Sequence, residues 1–449
     1  MPAPPYAVPS RRDRVVALAS GIIGGPAGRY AVIGGRGLAG VVAAVIAWAA
    51  AMIALGVWQK GHCLTKGWVN PDQFWRACYS DLPVLHVTTG LAGRQFPLTD
   101  PPLDQPLGSA LVMWLVSLVT PQAGTGVGAQ QWVLGIWAVL AVLLLAAGGL
   151  AVVALRPRRP WQAAHLTASP ALVVLALVSV DLAGVALALV ALWAWKRRTP
   201  GWAGALFALA LLVRPYAVVF LVAAALVGWR EDRRPDVARM LGGALLTVFV
   251  LGASLYVLFG DSVLLPLRSW WLSAPGYGAL ALVPQLHQHP LLPGVATGVA
   301  VAGFLLAPVL GAYLGRHRRR PGIAQLAAPM LLVLFLTAKA VPVQAGLWVL
   351  PVLALSAIRW RDHLIWAGAE ILHFVMVWLH IGFASDPGKG LPGSTYSLFI
   401  LLRMAALAWV CYQVWESRPA RTRHRHRVPV DSSTSGTRAS SSAGVRLET

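Results

Sequence analysis

The stretch Leu107–Thr120, LGSALVMWLVSLVT, decides how the rest of the chain is threaded. Apolar residues dominate it, yet its 14 residues fall short of the roughly 20 that a helix needs to cross a bilayer. Counted as a crossing, it would put the basic cluster Arg156–Arg159 on the outer side of a membrane and invert every later segment. Read as a re-entrant helix or one lying in the interface, it leaves all the basic clusters on one side. A true but short crossing is the alternative reading of the same residues.

Composition supplies the class within which that choice matters. Of 449 residues, 57% are hydrophobic and 12% charged, with a mean hydropathy of +0.66, which is the composition of an integral membrane protein. Twelve apolar runs are candidate spans: Leu38–Trp58, Gln131–Leu155, Trp161–Val180, Leu182–Trp195, Trp202–Val213, Pro215–Trp229, Ala238–Phe259, Pro293–Leu314, Ile323–Ala338, Gln344–Ile358, Leu364–Phe383 and Tyr396–Trp415. The expected fold is therefore all-α, with about twelve transmembrane helices and a structured first loop. Residues before Leu38 are basic and rich in Gly and Pro, so the first span reads as a retained anchor rather than a cleaved signal.

Charge orients the spans. The net charge is +21, and most Lys and Arg residues fall in Arg11–Arg36, Arg156–Arg159, Lys196–Arg198, Arg230–Arg239, Arg316–Arg320, Arg359–Arg361 and the tail from Arg418. Placing these clusters in the cytoplasm satisfies the positive-inside preference and puts both termini inside the plasma membrane. The domain reading is a cytoplasmic basic segment 1–37, a polytopic membrane domain 38–416, and a basic, Ser/Thr-rich cytoplasmic tail 417–449. Attraction to anionic membrane lipid accounts for that tail, whose arginines lack the interleaved aromatics of a nucleic-acid surface, so no nucleic-acid partner is expected.

The same topology gathers the remaining ionisable residues on the extracytoplasmic face, in the loops Gln59–Pro106 and Gly260–Leu292 and in short turns. Asp81, Asp104, Asp181, Arg214, Arg268, His287, His289 and Lys339 lie there. Asp181 and Arg214 are expected to face a polar cavity, because charge touching lipid is costly; interfacial snorkelling is the alternative for Arg214. Cys63 and Cys78 fall on the oxidising side, where a disulfide would close the first loop. Glu370 and Arg403 lie within the last two spans, with His373 one turn after Glu370, and form either a structural pair or part of a proton relay. No His/Cys cluster stands at metal spacing.

Several segments, in order, resemble the actinobacterial polytopic glycosyltransferases of family 87, within the GT-C superfamily. CYSDLPVL followed by TTGLAGRQFP resembles the first-loop signature, and DQPLGSALVMW the acidic-Tyr-Pro segment, with Asp104 at the acidic position and Gln105 in place of Tyr. ASPALVVLALVSVDL resembles a Ser-Pro-Ala and Asn-Trp-Asp-Leu stretch with Asp181 at its aspartate, and LLVRPYAVVFL a Lys-x-Tyr-Pro segment with Arg214 as the cation. AKAVPVQAGLWVLPVL resembles a Lys-x-x-Ser-Pro-Gln-Tyr-x-Leu-Trp block, retaining Lys339, Gln344 and Trp348, whereas RSWWLSAPGYGALALVPQL departs from the family pattern.

The resemblance implies a GT-C-like fold and transfer of a mannose- or arabinose-type sugar. The donor would be a polyprenyl phosphate, the acceptor a cell-envelope glycolipid or polysaccharide, and the outcome inversion without cofactor or metal. Such transfer needs a carboxylate to take the acceptor proton and cations for the departing phosphate. Asp81 is the candidate base, with Asp104 and Asp181 as alternative carboxylates; capping of a short helix is the other reading of Asp81. Arg214 and Lys339 are the candidate phosphate ligands, with Arg268, His287, His289 and Gln344 as helpers; the two histidines also read as plain loop residues. A lipid-glycoconjugate transporter or flippase, and an inactive family member serving as a scaffold, are the competing functions.

Overall fold

The computed structural model describes residues 35–121 and 124–417. All but the last three residues of the basic N-terminal segment, and the tail from 418, lie outside the described residues. Every regular element among the described residues is helical. The main helices are α1 (Gly35–Gln59), α2 (Asp81–Thr88), α3 (Leu107–Leu118), α4 (Val127–Leu155), α5 (Asp181–Lys196), α6 (Pro200–Val213), α7 (Val218–Arg230), α8 (Arg234–Phe259), α9 (Leu265–Leu272), α10 (Pro293–Gly315), α11 (Ile323–Thr337), α12 (Trp360–Phe383) and α13 (Gly393–Glu416). Six of them, α1, α4, α8, α10, α12 and α13, are long and apolar enough to cross a membrane. The stretch that fixed the threading is α3, a helix of 12 residues.

α8 leaves Leu245, Phe249 and Val257 more than two-thirds exposed, an apolar flank of the kind that lipid covers. α6 packs on α8 with almost no side chain between them. A Cβ at Gly204 would lie 1.9 Å from the Met240 carbonyl oxygen, and one at Gly243 2.6 Å from that of Gly201. Small residues allow this backbone-to-backbone approach, in which dispersion rather than hydrophobicity holds helices together.

Two of the twelve expected spans are not continuous helices. Residues 161–180 form the short turns Pro160–Ala163, Ala164–Thr167 and Ala171–Leu175, and residues 344–358 form Val343–Trp348 and Leu350–Ala354. Pro170, Pro342 and Pro351 stand at or beside the breaks, where a proline removes an N–H and clashes with the preceding turn. Both segments are buried almost throughout, as irregular backbone at membrane depth must be. Their freed carbonyls find donors elsewhere in the chain. Trp137 Nε1 donates to Ala176 O at 3.3 Å, Ser80 Oγ to Leu177 O at 2.6 Å and the Asp81 amide to Val178 O at 2.7 Å. Arg403 serves the second break, reaching the carbonyls of Val341, Pro342 and Val343 at 2.6, 3.2 and 3.4 Å while its Nε binds both oxygens of Glu370.

The loop after α1 is ordered by three devices. Cys63 and Cys78 form a disulfide with a Cα separation of 5.9 Å. Phe74 and Tyr79 stack with Trp378 of α12, at centroid distances of 5.9 and 4.6 Å, which fastens the loop to a long helix. The short helix α2 then starts at Asp81 on the first broken segment and runs against α4.

Candidate functional site

The site is built on the hairpin α5–α6. Asp181 opens α5 and Arg214 follows the last residue of α6, so two antiparallel helices of 16 and 14 residues return the chain to one end. There Arg214 Nε donates to Asp181 Oδ1 at 2.9 Å. Ser179 Oγ donates to the same oxygen at 2.7 Å, and Trp348 Nε1 to Oδ2 at 3.0 Å. Gly184, one turn along α5, makes room for that indole: a Cβ there would sit 2.8 Å from the Trp348 ring and 3.1 Å from Val213. α3 steadies the end of α6, where Ser109 Oγ donates to Val213 O at 2.9 Å.

This arrangement separates the roles of Asp181 and Arg214. Asp181 is 1% exposed, and both its oxygens receive donors, so it is engaged as an anchor. The Arg214 side chain is 15% exposed, and its two terminal nitrogens bond no acceptor among the described residues. A guanidinium held by Nε with its outer fork free is a binding group for an oxyanion.

Asp81 lies within electrostatic reach of Arg214 and Asp181 and remains partly exposed. It does not cap α2: it is the first residue of that helix, the preceding residue is Ser80, and no side chain makes a capping hydrogen bond. Burial pushes its carboxyl up to about 6, helped by the Asp181 charge and opposed by the Arg214 guanidinium, the Tyr79 hydroxyl and Lys60. Burial and the Asp81 charge in turn push the Tyr79 hydroxyl up. Lys60, the residue after α1, is fully buried; its ammonium donates to Tyr79 O at 2.8 Å and lies 5.0 Å from the Phe374 ring centroid. Burial brings that ammonium down to about 7, against the pull of Asp81.

The other expected site residues fall elsewhere. Asp104 is exposed and forms no ion pair among the described residues. Lys339, read from sequence as a phosphate ligand, has its three N–H bonds occupied by Trp270 O, Trp271 O and Thr297 Oγ1 at 2.8, 3.2 and 2.9 Å. It closes the C-terminal end of α9, where unpaired carbonyls attract a cation. Arg268 forms an exposed pair with Asp261 at 2.9 Å, His287 bonds Ser397 Oγ at 3.0 Å and His289 is exposed. Gln344 is buried in the second broken segment.

Glu370 and Arg403 pair in a buried site, and Tyr396 joins His373 to the Gly278 amide. No group of three or more His, Cys, Asp and Glu capable of holding a metal occurs among the described residues. Lys60 and Tyr79 are members of the Asp81 environment that the sequence reading left out. The only signal for Lys60 was a lysine directly against the apolar run of α1, on the side away from the basic clusters. No family model matches the chain, and neither the curated proteins nor the solved structures contain a match to it.

Proposed function

We propose that the chain is a membrane glycosyltransferase that moves a mannose- or arabinose-type sugar from a polyprenyl phosphate to a glycolipid or polysaccharide acceptor on the extracytoplasmic face of the plasma membrane. The observation that carries the reading is a partly exposed carboxylate, Asp81, within electrostatic reach of a guanidinium whose outer nitrogens are free, Arg214. The ordered resemblance of the first-loop, Asp181, Arg214 and Trp348 segments to family-87 enzymes supports the choice of reaction.

In the proposed reaction the acceptor hydroxyl loses its proton to the Asp81 carboxylate as its oxygen bonds the anomeric carbon. The bond from that carbon to the phosphate oxygen breaks, and its electron pair leaves with the polyprenyl phosphate. Arg214 faces the charge that grows on the phosphate, where a prepositioned donor lowers the barrier most. Asp181, itself bonded by Ser179 and Trp348, holds the guanidinium in place. One displacement at the anomeric carbon inverts it.

The test uses purified protein in nanodiscs with radiolabelled polyprenyl-phosphate sugars and an envelope-lipid extract. Wild type is expected to transfer label, and Asp81→Asn to lose transfer while retaining donor binding. Transfer should rise as pH passes through about 6, where Asp81 ionises. Donor binding without transfer by wild type would refute the reading and favour a lipid transporter or scaffold.

A further inference from the structure

We infer that two turns at the far end of the α5–α6 hairpin form a binding site for the phosphate headgroup of an anionic phospholipid. α5 starts at Asp181 and Arg214 follows α6, so the turn that joins them, 197–199, lies at the opposite end of these helices, about 24 Å away at the helical rise per residue. α8 packs along α6 and opens at Arg234, which brings the turn 231–233 to the same end. Arg233 Nη2 donates across to Trp195 O at 3.4 Å, and Arg198 Nη1 to Asp236 Oδ2 at 3.2 Å.

Three guanidinium groups converge on the Asp236 carboxylate: Arg233 at 3.1 Å, Arg198 at 3.2 Å and Arg239 at 3.8 Å. Arg233 is shielded and stacks 3.9 Å from the centroid of the Trp195 ring, so it serves as a clamp between the turns. Arg198 bonds the carboxylate through Nη1 alone, and Arg239 makes no hydrogen bond among the described residues; their side chains are 65% and 71% exposed. One carboxylate cannot balance three cations this close together. Across residues 196–199 and 231–239, six Lys and Arg stand against the acids Glu231, Asp232 and Asp236. A phosphodiester seated between Arg198 and Arg239 takes up the excess, its two free oxygens accepting charge-assisted bonds from both forks.

The surrounding indoles make the anion a lipid. Trp193, Trp202 and Trp229 are exposed at this end, and Arg197 and Arg234 lie 5.9 and 5.2 Å from the ring centroids of Trp193 and Trp229. Exposed tryptophan beside basic residues belongs at the level of the headgroups, where basic groups between spanning helices recognise lipid phosphate.

The experiment is native mass spectrometry of the full chain released from nanodiscs of equal parts phosphatidylcholine and phosphatidylglycerol, counting the lipids retained. Wild type should retain phosphatidylglycerol in preference. Arg198→Gln/Arg239→Gln should lower that preference by about fivefold or more, the worth of one basic residue near an anionic surface. Arg158→Gln/Arg159→Gln, at exposed residues beyond the end of α4, should keep the wild-type preference. Wild type without a preference overturns the inference. So does an equal loss in the two double variants, because total charge rather than this site would then hold the lipid. Without any variant, the wild-type preference should fall as salt rises from about 0.05 to about 0.5 M before release, and a preference indifferent to salt overturns the inference. Inorganic phosphate added to wild type in phosphatidylcholine nanodiscs should leave the thermal midpoint unchanged; a rise would mark a site for soluble anions and overturn the lipid assignment.

Discussion

Replacing Asp81 by asparagine should stabilise the protein, and the gain should depend on pH in a defined way. The Asp81 carboxyl sits near 6 in the fold against an ordinary 3.8, so the native state holds this proton more tightly than the unfolded chain does. Ionisation therefore costs native stability. The cost is absent below about 3.8, grows as pH rises towards 6, and is constant above it. Two pKa units correspond to about 3 kcal/mol as a ceiling. Because Asp81 is partly exposed and solvent screens its charge, about 1–2 kcal/mol is the figure to expect. Thermal unfolding of wild type and Asp81→Asn in one detergent, across pH 4 to 8, gives the readout as a difference in midpoint at each pH. The asparagine variant should gain on wild type by a few degrees between the acid and neutral ends. A difference that stays flat across the range, or a variant that loses ground as pH rises, would refute the claim that Asp81 ionises at a cost.

Two further outcomes follow from the packing. Gly184→Ala drives a methyl group to 2.8 Å from the Trp348 ring, which is fully buried and has nowhere to go; overpacking of this kind costs about 1–3 kcal/mol. A lower thermal midpoint together with reduced transfer is expected, and unchanged values of both would show that Trp348 does not hold Asp181. Arg403→Met strands the Glu370 carboxylate and three backbone carbonyls, at a cost of about 3–5 kcal/mol, so little monodisperse protein should be recovered; Arg403→Met/Glu370→Gln should recover part of the loss, and equal yields from the two variants would refute the ion-pair account.

The long helices were legible because an apolar run beyond 20 residues has few other uses. The segments 161–180 and 344–358 were misread because burial in protein and exposure to lipid select the same apolar residues, and composition cannot distinguish them. Their prolines were the available signal. Pro170 and Pro342 lie inside or beside runs that, as transmembrane helices, would need a neighbour to satisfy the freed carbonyls. Those neighbours, Ser80 and Arg403, come from segments far away in the sequence. The pairing of Asp181 with Arg214 was within reach, since two helices of similar length joined by a tight turn return to the same end. The engagement of Lys339 by α9 was not, because nothing local to Ala338–Val341 names its acceptors.

The charge pattern led to the expectation that Asp81, Asp104 and Asp181 share one face, and the structure gives each a different environment. Asp181 receives Ser179, Arg214 and Trp348, so its charge is spent on holding a cation. Asp104 is exposed and forms no ion pair among the described residues. Asp81 lies between these limits, too buried for water to stabilise fully and too sparsely bonded for the protein to do so. That imbalance raises its proton affinity, as the proposed role of general base would require. The same imbalance explains why the first loop is ordered by a disulfide, an aromatic stack and a broken helix: a carboxylate held in an unfavourable environment needs a rigid frame to keep it from reaching water.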